Sequence, residues 1–392
     1  MLLPVVKLKS KRNSRHPWIF RKMVSLPRGI ELDPGSLVEV RNPDGSRIGQ
    51  AFFHPENTIA LRILSEDPAR PVDERFVAGR LAAAKRLRDA VLPLSAETDS
   101  CRLANAEADG LPGLVIDKFA DLLVVEPYVA GWLHIMDWVA EALAELYPGC
   151  RVAVRPDERA EKKEGVSFAK AAEKYPAPAS VDIRENGIAY RVDFLTGHKT
   201  GFFLDQRDNR AAVMGLAKGR EVLDLCCYTG GFALSAWRGG AKRVVAVDLD
   251  EKALDAARVN ASLNGAETMD FLHRDVFDEL RDRAVRGRLA DLVVLDPPKL
   301  AGSQDEVAKA LRAYLDFNKL AMAAVRPGGM LVSCSCSGAV SAERWRQTVR
   351  HAAAESGRGL CIFLNTGPGP DHPVLSDFPQ GQYLKVMFAQ VL

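Results

Sequence analysis

The segment EVLDLCCYTGGFALSAW, which runs from Glu221 to Trp237, decides the fold. Its first residues form a short apolar run that is typical of a buried strand, and the residues from Phe232 onward have the pattern of a helix. Between them lies a turn that contains Gly230 and Gly231, and such a turn lets the backbone approach a ligand closely. The segment therefore predicts a strand, a ligand-binding turn and a helix in succession.

Strand patterns alternate with helix patterns from Val213 onward. The further strand patterns are RVVAVD, DLVVLD and MLVSCSC, and the helix patterns include EKALDAARVNASLN and a run from Ala308 to Val325. This alternation predicts a mainly parallel sheet with helices on both faces, which is a doubly wound α/β fold. Ligands bind such sheets outside the carboxyl ends of the strands.

Four acidic residues lie near those strand ends, namely Asp224, Asp248, Asp275 and Asp296. We expect Asp248 to bind the two hydroxyls of a ribose, and Asp275 and Val276 to lie beside an adenine ring. The dinucleotide-binding motif GxGxxG and the phosphate-binding loop motif GxxxxGK(S/T) are both absent, so no motif indicates that the ligand is a dinucleotide or ATP. Any one of these acids can instead cap a helix, but four in register favour a ligand site.

The composition is that of a folded, water-soluble protein. The chain has 392 residues, of which 47% are hydrophobic and 27% charged, and this length predicts two or three domains, of which we expect three. No run approaches the roughly 20 apolar residues of a membrane span, so we expect a cytoplasmic location and no membrane partner. The seven cysteines show neither CxxC spacing nor a Cys/His cluster, which predicts reduced thiols and no metal site.

The sequence pattern divides the chain into three regions. Residues 1–74 contain short strands separated by turn signals, which predict a small β barrel or sandwich. Residues 75–192 open on an amphipathic helix and then mix strands with helices, which predicts a compact α+β domain. Within this region, residues 161–180 have the composition of an exposed loop, and a β-hairpin follows them. Residues 193–392 form the doubly wound domain.

The N-terminal segment is strongly basic. Its first thirty residues contain no acid, and five of its basic residues are candidate RNA contacts: Lys7, Lys9, Lys11, Arg12 and Arg15. A solvated basic face without a partner explains a charge run equally well. Trp18 and Phe20 can offer stacking surfaces for bases, although a Trp-Ile-Phe run more often belongs to a β-barrel core.

Several further motifs carry a resemblance to a known family. DPPK, from Asp296 to Lys299, resembles the fourth motif of class I methyltransferases. Together with CYTGGF, the segments GHKTGFFLDQRDNR from Gly197 to Arg210 and SCSG from Ser335 to Gly338 resemble the bacterial large-subunit ribosomal RNA cytosine-C5 methyltransferases. RHPWIF from Arg15 to Phe20 and ADGLPGLVIDKF from Ala108 to Phe119 also match, so the resemblance spans nearly the whole chain.

The resemblance implies a PUA domain, a central α+β domain and a class I methyltransferase domain with a Rossmann-like sheet. It also implies S-adenosyl-L-methionine as cofactor and large-subunit ribosomal RNA as partner, and it leaves open whether the chain forms a homodimer. Gln206 and Asn209 are expected near the methionine end of the cofactor or the bound nucleotide, unless their segment only caps the next helix. The residues expected to bind the cofactor are Phe203, Asp205, Arg207, Asp224, Cys226, Tyr228, Thr229, Gly230, Asp248, Asp275, Val276 and Asp296.

Methylation at cytosine C5 requires a nucleophilic residue. C5 reacts slowly with a methyl sulfonium, whereas addition of a thiolate at C6 converts the ring to an enamine that attacks from C5. The strand MLVSCSC offers Cys334 and Cys336, which we expect on opposite faces, so that only one of them reaches the pocket. The resemblance to SCSG assigns the nucleophile to Cys336. The other cysteines are expected in packed positions.

Asp296 and Lys299 complete the predicted catalytic set. Asp296 can bind the N3 and amino edge of the pyrimidine, and Lys299 can lower the thiol pKa or neutralise a phosphate. Many RNA cytosine-C5 methyltransferases have Pro-Cys in the fourth motif, but Lys299 follows Pro298 here, so the acceptor of the C5 proton is open among Cys334, Asp205 and water. Two alternatives remain: amino methylation of guanine or adenine, for which (D/N)PP(Y/F) motifs are typical, and a catalytically degenerate RNA-binding assembly factor.

Overall fold

The computed structural model describes residues 3–25, 31–194 and 201–392 of the chain. The start of the GHKTGFFLDQRDNR motif, Gly197 to Thr200, lies outside the described residues. Within the described ranges the strands form four sheets, of six, four, two and seven strands. No helix in these ranges has the length and apolar character that a membrane crossing requires.

The first sheet confirms a β-rich N-terminal domain. Its strand order is β2-β6-β5-β4-β1-β3, and β1 and β4 run parallel while the other pairs are antiparallel. Alternating residues such as Val6, Val38 and Leu61 point inward and form its core. The strands are β1 (Val5–Leu8), β2 (Trp18–Phe20), β3 (Val24–Ser25), β4 (Ser36–Arg41), β5 (Arg47–Phe53) and β6 (Ile59–Ser65).

The central domain is a four-stranded sheet with helices packed against it. The sheet order is β10-β9-β8-β7, and the core of the domain contains Val77, Trp132 and Val139. The first helix begins where the Asp73 side chain accepts a hydrogen bond from the amide of Phe76. The elements are α1 (Glu74–Val91), β7 (Ser100–Asn105), β8 (Leu114–Phe119), β9 (Leu122–Pro127), α2 (Gly131–His134), α3 (Met136–Leu146) and β10 (Arg151–Val154).

The prediction of an exposed loop over residues 161–180 was wrong. Two short helices, α4 (Glu158–Glu164) and α5 (Ala169–Lys174), occupy half of this segment. Asp157 caps the first helix through the amide of Ala160, and Gly165 ends it in the left-handed conformation. The buried residues within these helices are Ala160, Glu164 and Ala171, which form no apolar stripe, so hydrophobic periodicity gave no signal.

The C-terminal domain confirms the doubly wound fold. Its sheet order is β15-β14-β13-β16-β17-β19-β18, in which β13 to β17 are parallel and β19 runs antiparallel to both neighbours. The elements from the hairpin onward are β11 (Ser180–Glu185), β12 (Ile188–Asp193), α6 (Arg207–Leu216), β13 (Glu221–Leu225), α7 (Gly231–Arg238), β14 (Arg243–Asp248), α8 (Glu251–Leu263), β15 (Asp270–His273), α9 (Val276–Arg286), β16 (Ala290–Leu295), α10 (Val307–Ala323), β17 (Val325–Ser335), α11 (Ala342–Glu355), β18 (Leu360–Thr366) and β19 (Lys385–Val391).

The position of β13 defines where a ligand binds. Its neighbours β14 and β16 lie on opposite sides, so the connections leave toward opposite edges and open a crevice at the carboxyl end of β13. The strand is apolar because both faces are covered: Val222 belongs to one packed cluster and Leu223 to the other.

The hairpin of β11 and β12 packs on α8 of the C-terminal domain, and its turn end also contacts residues 97–99 of the central domain. Asn186 and Gly187 both have positive φ angles, which is the backbone of a tight two-residue hairpin turn. Asn260 of α8 and Asn264, which caps the carboxyl end of α8, accept hydrogen bonds from backbone amides of β12, at 2.8 and 3.0 Å. We therefore propose a domain boundary before residue 180 instead of at residue 192.

Trp18 joins the three regions and does not lie in the core of the first sheet. Its indole nitrogen donates to Glu107 at 2.7 Å, and its ring lies edge-on to Phe378, with 4.7 Å between ring centroids. The Arg62 guanidinium lies over the same ring. The neighbouring Ile19 fills the barrel-like core instead, because adjacent strand residues point to opposite faces.

Candidate active site

A large open cleft of about 1470 Å³ lies at the carboxyl ends of the parallel strands, between the catalytic and central domains. Eleven of the residues predicted for catalysis or cofactor binding line it: Phe203, Asp205, Cys226, Tyr228, Thr229, Asp248, Asp275, Val276, Asp296, Lys299 and Cys336. The central domain contributes residues that sequence analysis did not identify, among them Arg102, Glu126, Tyr128, Arg155 and Arg159. The topology of the sheet therefore gathers side chains that are far apart in sequence.

The turn after β13 has a strained backbone. Cys226, Tyr228 and Gly230 have φ angles of 60°, 50° and 82°, which only glycine adopts without cost. The Tyr228 amide donates to Asp248 Oδ2 at 2.8 Å, and the Cys227 amide donates to a carbonyl of β14 at 3.1 Å. Such strain is characteristic of ligand sites because the surrounding bonds must hold it in place. Gly230 itself faces α8, where an added Cβ would lie 3.2 Å from Ala257, and it does not line the cleft.

Asp248 and Asp275 both line the cleft and accept hydrogen bonds from nearby backbone amides. Asp275 Oδ1 accepts from the amides of Phe277 and Asp278, so this residue caps α9 as well as lining the cleft. Asp248 accepts from Tyr228 and from the Asp250 amide. Among the described residues, no group of three or more His, Cys, Asp or Glu side chains is arranged to hold a metal ion.

Asp224 and Asp296 make the floor of the site electronegative. Burial, reinforced by the negative charge of neighbouring carboxylates, raises the pKa of Asp224 to about 8 and that of Asp296 to about 7. Asp224 lies beneath the cleft, where one oxygen accepts from the Ala233 amide at 2.9 Å and Oδ1 has no hydrogen-bond partner among the described residues. A positively charged ligand above this floor would relieve the cost of the buried charge, and S-adenosylmethionine carries a sulfonium and an ammonium.

The 3-10 helix Leu204–Gln206 and the residue before it present three predicted residues to the cleft, namely Phe203, Asp205 and Gln206. Asp205 Oδ2 accepts a hydrogen bond of 2.6 Å from the Tyr383 hydroxyl, and Gln206 donates to Asp296 at 3.0 Å. The Phe203 ring packs edge-on against Tyr228, with 5.1 Å between centroids. This helix therefore connects the turn after β13 with the fourth-motif acid.

The assignment of Arg207 to the cofactor is corrected by the structure. Its buried guanidinium donates to both oxygens of Asp371, at 2.8 and 2.9 Å, and it does not line the cleft. Burial acts to raise the pKa of Asp371, but hydrogen bonds from His372 and Arg207 outweigh it and hold the pKa well below its usual range. Arg207 thus anchors the segment between β18 and β19, while the predicted Asn209 lies behind the cleft and donates to Gln206 at 2.7 Å.

Cys334 and Cys336 point to the same side of the sheet, so the prediction of opposite faces was wrong. Residues i and i+2 of a strand share a face, and both cysteines pack against the same hydrophobic cluster. Cys336 lines the cleft at the end of β17, with its Sγ 4.0 Å from the Pro297 carbonyl oxygen. Cys334 is buried behind it, and burial together with the charge of Asp296 raises its pKa well above the usual value.

A hydroxyl network joins the Cys336 loop to the DPPK loop. Ser337 Oγ accepts hydrogen bonds of 3.0 Å from the amides of both Leu300 and Ala301. The Tyr314 hydroxyl lies 2.9 Å from both Ser335 Oγ and Ser337 Oγ. The two loops are therefore fixed relative to each other. Sequence analysis did not identify Tyr314, because helix periodicity gives it the pattern of a core residue.

Two lysines lie on different sides of the predicted nucleophile. Lys299 is exposed at the cleft rim. Lys385, which sequence analysis missed, is buried, and its ammonium donates to the carbonyls of Ser337 and Val340 at 2.7 and 3.1 Å. The available signal was a lysine in the otherwise apolar run LKVMF, where a strand buried on both faces has little tolerance for a charge.

The N-terminal basic residues differ in exposure. Lys7, Lys9, Lys11 and Arg15 are exposed. The Arg12 side chain is only 8% exposed, and it pairs with Glu66 at 2.6 Å and donates to the His16 carbonyl at 2.9 Å. The RNA contact predicted for Arg12 is therefore corrected to a structural one that holds the N-terminal segment to the sheet. For the other four residues, RNA binding stays a prediction.

Comparison with known proteins agrees with this architecture. Residues 170–357 match the family model of S-adenosylmethionine-dependent methyltransferases, and residues 7–66 match that of PUA-like domains. The fold and the cleft thus define a methyltransferase that uses S-adenosyl-L-methionine and carries an N-terminal PUA-like domain.

Curated relatives narrow the class. The chain is 41% identical over 375 residues to ribosomal RNA large subunit methyltransferase I of Aeromonas hydrophila, covering 95% of this chain and 94% of the relative. It is 40% identical over 374 residues to the protein of the same name from Photobacterium profundum, with the same coverage. The chain belongs to the ribosomal RNA large subunit methyltransferase I family.

Solved structures share the fold over the full length. A putative S-adenosylmethionine-dependent methyltransferase from Streptococcus mutans has a TM-score of 0.80 at 19% identity and covers 99% of this chain and 100% of its own. A putative methyltransferase crystallised with SAH also has a TM-score of 0.80, at 20% identity, with complete coverage of both chains. The arrangement of the three regions is therefore shared with both structures.

Proposed function

We propose that the protein methylates C5 of a cytosine in large-subunit ribosomal RNA through a covalent bond between Cys336 and C6. The observation that carries the proposal is the position of Cys336, which lines the cleft and is tied by its loop to the DPPK loop that bears Asp296. The relatives from Aeromonas hydrophila and Photobacterium profundum, named as large-subunit ribosomal RNA methyltransferases, support the choice of substrate. We place this activity in the cytoplasm, where its substrate is assembled.

The cofactor site extends along the strand ends. Asp248 would bind the ribose hydroxyls, and Asp275 and Val276 would lie at the adenine, as expected for acids at the ends of neighbouring strands. The buried carboxylate of Asp224 would stabilise the positive charge of the methionine end, and Asp296 would lie between this end and the base. S-adenosyl-L-methionine, when bound, supplies the methyl group and leaves as S-adenosylhomocysteine.

Cys336 and Asp296 would make the cytosine reactive. The thiolate forms a bond to C6, and the electrons of the C5–C6 double bond move into the ring toward N3. Asp296 has a pKa of about 7, so near neutral pH a protonated fraction can donate its proton to N3 as this charge develops. C5 is then an enamine carbon that accepts the methyl group. This step needs Asp296 in its protonated form and Cys336 in its ionised form.

Release of the product requires a base for the C5 proton. Cys334 does not suit this role, because its raised pKa keeps it a protonated thiol that cannot accept a further proton. We assign the proton to the carboxylate of Asp205, which lines the cleft and is held by the Tyr383 hydroxyl. As that proton leaves, its bonding electrons restore the C5–C6 double bond and the sulfur–C6 bond breaks. Cys336 returns as a thiolate, and the proton on N3 returns to Asp296.

Cys336→Ala tests this proposal. The variant is expected to lose methylation of large-subunit ribosomal RNA while keeping affinity for S-adenosylmethionine, measured by isothermal titration calorimetry. Cys361→Ala is the matched control, because Cys361 is exposed and lies on β18. Mass spectrometry of RNA nucleosides identifies the product. Full turnover by Cys336→Ala, or an N-methylated purine as product, contradicts the proposal and supports amino methylation instead.

A further inference from the structure

Lys385 contacts the residues on both sides of the proposed nucleophile, Cys336. Its backbone opens β19 opposite Ser335, the residue before Cys336. Its side chain continues past the strand end and donates to the carbonyl of Ser337, the residue after Cys336, at 2.7 Å, and to that of Val340 at 3.1 Å. The ammonium group is thus fixed beneath the loop that carries the thiol.

The lysine is an unusual residue for this place. It is 5% exposed, and no carboxylate of the described residues lies within ion-pair distance of its ammonium. A buried cation without a counter-ion is costly, and carbonyl oxygens compensate only part of that cost. Burial lowers the pKa of Lys385 to about 8, and the negative charge of the nearby Cys336 acts in the opposite direction. A thiolate at Cys336 is therefore the counter-ion that this site offers.

We propose that Lys385 is a positioning residue whose ammonium stabilises the thiolate of Cys336 and orients its loop. This inference rests on the proposed function for its catalytic meaning, but the charge interaction itself is independent of the substrate. The inference assigns different roles to Lys385 and Lys299. Lys385 acts from inside the fold on the thiol, whereas Lys299 is exposed at the rim of the cleft and is available to a phosphate of the substrate.

Other titratable groups also act on the thiol. Asp296 and Asp205 line the same cleft and oppose a negative charge on sulfur when they are ionised. Tyr314 of α10 and the buried Cys334 of β17 both lie within electrostatic range of Cys336 and are neutral at physiological pH, because burial raises the pKa of each. Of the buried side chains named here, Lys385 of β19 is the one that carries a positive charge.

The pH dependence of Cys336 alkylation tests the inference. The full-length protein, without RNA or cofactor, is treated with iodoacetamide between pH 5 and 10, and peptide mass spectrometry gives the alkylation rate of each cysteine. Removal of an adjacent opposite charge shifts an ionisation by about one to three pH units, so Lys385→Met should move the Cys336 midpoint upward by this amount. Lys385→Arg, which keeps the charge, should restore the midpoint toward that of the wild type.

Ser337→Ala separates charge from loop position. It removes the hydroxyl that binds the amides of Leu300 and Ala301, but it leaves the ammonium in place. A change of loop position alone alters the Cys336 rate at every pH without moving the midpoint, and this is the pattern expected for the variant. The exposed Cys361 reports the intrinsic thiol chemistry in each protein and should not change.

An unchanged Cys336 midpoint in folded Lys385→Met overturns the inference. If that variant does not fold, the wild-type protein decides: the Cys336 midpoint must lie at least about one pH unit below that of Cys361, and an equal or higher midpoint overturns the inference. The result is distinct from a failure of the proposed function, which would appear as methylation by Cys336→Ala. A shifted midpoint with active Cys336→Ala would keep the charge interaction and reject the covalent mechanism.

Discussion

Replacement of Arg207 by methionine distinguishes a structural arginine from a cofactor ligand. In the folded protein Arg207→Met leaves the carboxylate of Asp371 buried, without its bidentate partner. Breaking a buried ion pair by removing one partner costs about 3–5 kcal/mol. Asp371 keeps hydrogen bonds from the Arg102 amide and His372, so we expect the lower half of that range.

Differential scanning calorimetry measures this effect. A loss of about 3 kcal/mol lowers the melting temperature of a domain of this size by roughly 6–12 °C. The matched control is Arg281→Met, which breaks an exposed pair with Asp278 and should change stability by less than about 1 kcal/mol. The double variant with Asp371→Asn should recover part of the loss, because no unpaired charge remains buried.

The pH dependence gives a second readout of the same pair. The pKa of Asp371 is depressed in the folded state, so its contribution to stability is present above the unfolded pKa of about 3.9 and is lost as the pH falls through the folded value. Arg207→Met should reduce this acid-side dependence. An unchanged melting temperature together with a large loss of S-adenosylmethionine affinity would refute the structural role and restore Arg207 to the cofactor site.

Three further predictions follow from the charges of the site and of the N-terminal domain. Asp296 has a raised pKa of about 7 and acts in its protonated form, so the alkaline limb of the pH–rate profile should fall with a midpoint near 7; Asp296→Asn should remove this limb and lower kcat by about 10²–10⁴-fold. Asp224 also has a raised folded pKa, so its ionisation destabilises the cofactor-free protein as the pH rises; Asp224→Asn should raise the melting temperature at pH 8 and weaken cofactor binding in calorimetry. Alanine at four exposed basic residues should weaken RNA binding in filter assays and reduce its salt dependence, whereas Arg12→Ala should mainly lower stability: the four are Lys7, Lys9, Lys11 and Arg15.

Local sequence pattern predicted those parts of the fold that local pattern determines. The central parallel strands β13, β14 and β16 are buried on both faces and therefore appear as continuous apolar runs, and the turn at Gly230 separates a strand from a helix without ambiguity. Local pattern did not predict helices α4 and α5, because their buried residues form no apolar stripe and α4 begins at a capping aspartate, Asp157. Hairpin placement depends on Asn260 and Asn264, which lie about 70 residues further along the chain.

In the candidate site too, local motifs predicted some residues, whereas others depend on contacts between distant parts of the chain. Motifs identified the residues that line the cleft, such as Asp248 and Cys336, because strand ends and resemblance both pointed to them. They did not identify Lys385 or Tyr314, whose roles arise from contacts across the sheet with the Cys336 loop. Arg207 was misassigned because its partner Asp371 lies 164 residues away, and no local pattern shows that this arginine is already paired.

Trapping of the covalent intermediate tests the central claim most directly. Large-subunit ribosomal RNA transcribed with 5-fluorocytidine is incubated with the protein and S-adenosylmethionine, because fluorine at C5 leaves no proton to remove and blocks release of the sulfur. The proposed mechanism predicts a covalent protein–RNA complex on a denaturing gel, with mass spectrometry placing the nucleotide on the peptide that contains Cys336. Cys336→Ala should form no complex, and Cys361→Ala should form it fully. Absence of a complex from a protein that methylates unmodified RNA, or attachment at another residue, would contradict the role of Cys336.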